Sequence, residues 1–105
     1  MSEKNIKIEE IVKVDDELLA AMNRLVPQLS NSNSPPDRSA LEGIVASDSS
    51  ILLAAFIDRE IVGSLTLVVF SIPTGKRAWI EDVVVDEKRR NKGLGDALNQ
   101  DAIKI

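Results

Sequence analysis

An α+β fold follows from three features of the chain. Apolar and polar residues alternate from Ile6, two stretches carry helix-start signals near Asp15 and Ser39, and two dense apolar runs, Ile51–Ile57 and Ile61–Phe70, lie close enough to pair as an antiparallel hairpin. With 105 residues, 44% of them hydrophobic and 29% charged, the sequence makes a single domain, 1–105, with a real but modest core.

Each element has its own local reason. Ile6 and Ile8 alternate with polar neighbours before Ile11-Val12 falls out of step, which suits a half-buried strand over 6–14. Asp15 or Asp16 caps a helix running to about Val26, with Leu18, Leu19, Met22, Leu25 and Val26 on one stripe, and Pro27 ends it. Gln28 to Asp37, rich in Ser, Asn and Pro, reads as a loop. Ser39-Ala40-Leu41-Glu42 has the form of a capping box opening a short helix through Ala46. The hairpin turns at Asp58-Arg59-Glu60, and Gly63 weakens its second strand at a bulge. Pro73-Thr74-Gly75 turns into a strand at Trp79–Val85, and from Gly93 a last helix places Leu94, Ala97, Leu98 and Ile105 on one face.

Composition removes several chemistries. The chain has no cysteine and no histidine, which excludes disulfides, thiolate metal sites, Ser-His-Asp and Cys-His catalysis. Proton transfer then falls to a carboxylate, a lysine, water or the backbone. A net charge of −4 argues against a general nucleic-acid binder. The longest apolar run, Ile51–Ile57, is too short to cross a bilayer, and residues 1–10 carry no apolar stretch, so no membrane and a cytoplasmic location are expected.

The most informative segment runs from Trp79 to Gly95. A buried strand, the basic turn Lys88-Arg89-Arg90-Asn91-Lys92, the glycines Gly93 and Gly95, and a helix follow in order. Helix N-termini leave backbone N–H groups without intrahelical partners, the helix dipole adds positive potential, and glycine lets phosphate oxygens approach. That order makes a socket for a diphosphate.

Arg90, Gly93 and Gly95 set in Arg-x-x-Gly-x-Gly after a Val-Val-Val strand resemble the acetyl-CoA loop of the GNAT N-acetyltransferases, and Ile-Glu-Asp-Val-Val-Val-Asp is similar to the strand that small-amine members carry there. The resemblance implies a mixed, mostly antiparallel sheet with helices on its faces. It also implies acetyl-CoA as acetyl donor and direct attack by the primary amine of a small molecule or protein. By motif position, Arg90, Asn91, Lys92, Gly93, Leu94, Gly95 and Asp96 would hold the pyrophosphate. Val83 and Val85 would pair through their backbones with the pantetheine arm, with the Val83 N–H as donor to the thioester oxygen, and Glu81 would be the base or ammonium anchor. Alternation places Trp79, Glu81, Val83 and Val85 on one strand face, and Ile80, Asp82 and Val84 on the other. The family continues beyond such a helix with further strands and a helix, often with a tyrosine that protonates the thiolate. This sequence has no tyrosine, so a partial domain is expected, repaired by a homodimer through the edge of the 79–85 strand.

Plainer readings stand beside these. The basic run can be a solvated turn, and Glu81-Asp82 can be an edge-strand pair that blunts aggregation. Trp79 can be core or pocket wall, and Thr74-Gly75-Lys76 lacks the glycine spacing of a nucleotide-hydrolysing loop. The alternatives to an acetyltransferase are a catalytically deficient acyl-CoA binder and an interaction module that binds another phosphate.

Overall fold

The computed structural model describes residues 6–29 and 34–89. Along them run β1 (Ile6–Glu10), α1 (Asp16–Leu25), a 3-10 turn (Val26–Gln28), α2 (Arg38–Ala46), β2 (Ser50–Ile57), β3 (Glu60–Ile72), β4 (Gly75–Val85) and a second 3-10 turn (Glu87–Arg89). The strands form one sheet in the order β1-β2-β3-β4, every pairing antiparallel. The α+β expectation therefore holds. The helix expected from Gly93 lies outside the described residues.

Both faces of the sheet are apolar, which is why β2 reads as an unbroken hydrophobic run. Its period-two alternation sends Leu52 and Ala54 to one face and Leu53, Ala55 and Ile57 to the other. Leu18, Met22 and Leu25 of α1 and Leu41 of α2 pack on the first face with Ile61 and Val84. The second face gathers Val62, Leu65 and Leu67 around the β2 residues. Burying a leucine-sized side chain stabilises by about 1.5–3 kcal/mol, so α1 and α2 are held mainly by that first face. Among the described residues no helix is long and apolar enough to cross a membrane.

The helix starts are chemical stops for orphan amides. Asp15 accepts from the Leu18 N–H at 2.8 Å, and Asp37 accepts from the Ala40 N–H at 2.8 Å. The second cap differs from the expected Ser39 capping box: the cap is Asp37, two residues earlier, and α2 begins at Arg38. That arginine donates to the Val14 carbonyl at 3.3 Å and pairs with the Asp16 carboxylate, tying the starts of α1 and α2 together. Pro27 does not stop the chain's coiling outright. The α-helix ends at Leu25 and tightens into the 3-10 turn, where a proline in the first positions forfeits no needed N–H. The opening strand is shorter than expected, ending at Glu10 where the alternation fails, with one further bond from the Ile11 N–H to the Leu52 carbonyl.

Irregularities in the sheet matter more. Val62 and Gly63 together face Ala55, so a bulge sits at the expected glycine. A second bulge, in β4, sets Asp82 and Val83 against Leu65, with Asp82 in the left-handed region at φ 53°. The β2–β3 turn places Asp58 at φ 50° and Arg59 at φ 71°, the backbone of a tight hairpin turn that favours glycine at its second central position. Left-handed backbone costs a non-glycine residue about 1–2 kcal/mol, partly offset by glycine's greater unfolded entropy. Arg59→Gly is therefore expected to stabilise the domain by about 0.5–1 kcal/mol, read as a higher urea midpoint at unchanged slope.

Candidate active site

The bulge in β4 decides what its carboxylates face. Before it, Glu81 pairs with Thr66 and Ile80 with Leu67; after it, Val84 pairs with Ser64 and Val85 with Gly63. Thr66, Ser64 and Val84 share the face covered by α1 and α2, whereas Leu67 and Val85 belong to the opposite one. Glu81 therefore shares its face with Val84, not with Val83 and Val85 as simple alternation requires. The physical reason is the extra residue opposite Leu65, which shifts the side-chain period by one. The exposed Trp79 lies two residues earlier on the Glu81 side, and its indole N–H donates to the Glu81 carboxylate, fixing that side chain's direction.

Beneath this strand the helices leave a cavity of about 280 Å³. Met22, Val26 and Leu29 wall it from α1 and the turn after it, Leu41 and Ile44 from α2, and Ser34 and Pro36 from the loop between them. On the sheet side stand Leu52, Ser64, Thr66, Val84 and Asp82. Among the described residues, Asp82 is the sole ionisable member of that lining. A concave apolar pocket with a few convergent polar groups is the usual form of a small-molecule site.

Where β4 ends, a polar cluster ties it to α1. Arg24 donates through Nε to Asp86 at 3.1 Å and through Nη2 to the Ile61 carbonyl at 2.5 Å. Gln28 accepts from the Glu87 N–H at 2.8 Å, and the Lys88 N–H donates to Asp86 at 3.2 Å. The Asp86 N–H itself donates to the Val62 carbonyl at 2.8 Å. Burial pushes the Asp86 carboxyl up, but the Lys88 amide, the Arg24 guanidinium and Gln28 outweigh it and hold the group below the ordinary carboxylate range. The chain therefore leaves β4 toward its basic turn from a fixed point.

Of the residues singled out from the sequence, Glu81 and Val83 sit at the β4 bulge, both exposed, and Val85 is half-buried against the second core. Arg90, Asn91, Lys92, Gly93, Leu94, Gly95 and Asp96 lie outside the described residues. Sequence reasoning missed the cavity residues Ser64, Thr66 and Asp82 and the cluster of Arg24, Gln28 and Asp86. For Asp82 a signal existed: aspartate is the residue between Trp79 and Val85 that best tolerates a left-handed backbone.

Solved structures of acetyltransferases share this architecture. An aminoglycoside acetyltransferase from an uncultured soil metagenomic sample, in complex with sisomicin, superimposes with a TM-score of 0.81 at 24% identity, covering 99% of this chain and 74% of its own. A GNAT family acetyltransferase of Staphylococcus aureus gives 0.82 at 21% identity, with 95% and 76% covered. A ribosomal-protein-alanine N-acetyltransferase of Brucella melitensis gives 0.75 at 22% identity, with 94% and 70% covered. No curated protein matches the chain significantly. These structural likenesses show the fold. Residues 16–105 match the model of the Acetyltransferase (GNAT) family, and the chain belongs to that family as an N-acetyltransferase.

The lowered Asp86 pKa carries a pH signature. Its contribution to stability is complete above the unfolded carboxylate value of about 4 and is lost as the pH falls through the lower folded value. Asp86→Asn should cost about 1–3 kcal/mol at neutral pH by leaving Arg24 without its carboxylate. Urea midpoints of variant and parent should converge as the solution is acidified below about pH 4.

Proposed function

We propose that this protein transfers an acetyl group from acetyl-CoA to the primary amine of a small molecule or protein, by direct attack of the amine on the thioester. The observation that carries the reading is a juxtaposition. The bulged stretch of β4 that bears Glu81 and Asp82 borders the cavity, and the same strand leads within a few residues to the Arg90–Asp96 motif. Among the described residues β4 is the outermost strand, a position that suits an extended, amide-rich arm laid alongside it. Acetyl-CoA supplies an activated acyl group. Arg90 and the backbone amides of Asn91 to Asp96 would hold its pyrophosphate, and Val83 and Val85 would meet its pantetheine arm through their backbones.

The chain's own residues divide the remaining work. Glu81, steered by the Trp79 indole, accepts the proton of the incoming ammonium directly or through water, a contribution of about 10²–10⁴ in rate. The Val83 N–H, at the bulge, is the donor assigned to the thioester oxygen; a donor of that type is worth about 10²–10³ in rate. Arg24, Gln28 and Asp86 are positioning residues that fix where the basic turn begins. The protein is proposed to act in the cytoplasm. It is further proposed to dimerise through the edge of the 79–85 strand, the outermost strand among the described residues.

Two substitutions and one measurement test this. Gly95→Trp should abolish acetyl-CoA binding in calorimetry with little change in stability, and retained micromolar affinity would remove the socket. Glu81→Gln should leave that affinity intact and lower thiol release by about 10² or more. Unchanged turnover would take Glu81 out of the mechanism. Light scattering should give twice the chain mass at tens of micromolar, and a stable monomer would reject the dimer.

A further inference from the structure

The geometry points to a specific acceptor class for the cavity: a small primary monoamine with an apolar body, an alkyl- or arylalkylamine, rather than a polyhydroxylated polyamine or a peptide. The inference rests on reading the cavity as the acceptor site. Its volume, about 280 Å³, equals roughly nine water volumes at about 30 Å³ each and falls at the small end of ligand sites. Met22, Leu41, Ile44 and Leu52 make its interior a surface that rewards loss of apolar area from water. That part of the wall offers hydroxyls and amides no partner, so a sugar or a peptide backbone would have to rely on Ser34, Ser64, Thr66 and Asp82.

Charge sharpens the assignment. Among the described residues one carboxylate, Asp82, lines the cavity, and Ser64 and Thr66 add two hydroxyl groups on the same wall. A single ammonium matches that complement. A polyamine would bring several positive charges to a wall with one negative partner. The β4 bulge supplies the second observation: it sets Asp82 at φ 53° on the cavity side, next to Glu81 on the Thr66 pair. The apolar body then lies among the helices, and the amine rests at the mouth between the two carboxylates. Asp82 anchors it there and Glu81 takes its proton.

The test measures binding to the 105-residue chain without acetyl-CoA, by methyl chemical shifts of Met22, Leu41 and Leu52. 2-Phenylethylamine should shift these methyls saturably, whereas ethanolamine, sisomicin and an alanyl tripeptide should bind at least about tenfold more weakly. Asp82→Asn, a residue equally tolerant of left-handed backbone, should weaken 2-phenylethylamine by about three- to tenfold and leave 2-phenylethanol unchanged. Ile44→Trp should fill the cavity and remove both probes. Tighter binding of sisomicin or the tripeptide, shifts confined to other methyls, or an unaltered amine affinity in Asp82→Asn would overturn the inference. Faster acetylation of sisomicin than of 2-phenylethylamine would overturn it while leaving the proposed reaction standing. Amine capture in the cavity by a chain that ignores acetyl-CoA would do the reverse.

Discussion

One surplus residue in β4, opposite Leu65, governs how the rest of the molecule is arranged. Val84 must be buried beneath the helices with Ser64, and Val85 must meet the second core beside Gly63. A regular strand meeting both demands would turn Glu81 away from the helices. The bulge absorbs the conflict: Glu81 returns to the helix side, and Asp82 takes the left-handed turn on the cavity wall. Two adjacent carboxylates on a strand would ordinarily diverge to opposite faces. Here Asp82 lines the cavity and Glu81 pairs with Thr66 of the same lining, on the helix side of the sheet.

The same strand needs a fixed end. Arg24 provides it with a planar fork that reaches both the Asp86 carboxylate and the Ile61 carbonyl, something a lysine ammonium would do without that directionality. Gln28 adds a bond to the Glu87 amide from the turn after the helix. These contacts join α1 to β3 and to the exit of β4, so the starting point of the basic turn is held from three segments. Asp86 is one of the few buried polar residues of the described chain, and each neighbour that faces it lowers the cost of keeping it ionised there.

Local chemistry made much of the fold legible. Asp15 before Leu18, glycine at position 63, and the short polar gap between two apolar runs each carry a signal within a few residues. Pattern alone misled at α2: Ser39-x-x-Glu42 has the form of a capping box, but Asp37 caps the helix, and Arg38's contacts to Val14 and Asp16 accompany that start. The β4 bulge lies beyond such reasoning because its cause is pairing with β3, and no glycine marks it. The Arg24–Asp86 pair spans 62 residues and has no local trace at all. The candidate site was accordingly half legible. Glu81 could be named from its spacing to the basic turn, while the cavity that Asp82 lines exists only once α1, α2 and the sheet are packed.

A consequence for the helix follows from that packing. Leu18, Met22 and Leu25 face the core, and Met22 with Val26 and Leu29 continues at helical spacing along the cavity. Arg24 and Gln28, four residues apart, point instead to the end of β4. One short segment thus carries the cavity wall on one stripe and the tether of the end of β4 on another. Proline at position 27 helps keep the two stripes in register, since it tightens the last turn without breaking the path from Arg24 to Gln28, and the Gln28 amide donates back to the Arg24 carbonyl at 3.2 Å. A shift of this segment along its axis would move the cavity wall and the strand's exit together. Apolar packing in the core resists such a shift more strongly than either polar contact could alone, so the alignment of the cavity wall with the end of β4 is set chiefly by the buried Leu18 and Leu25.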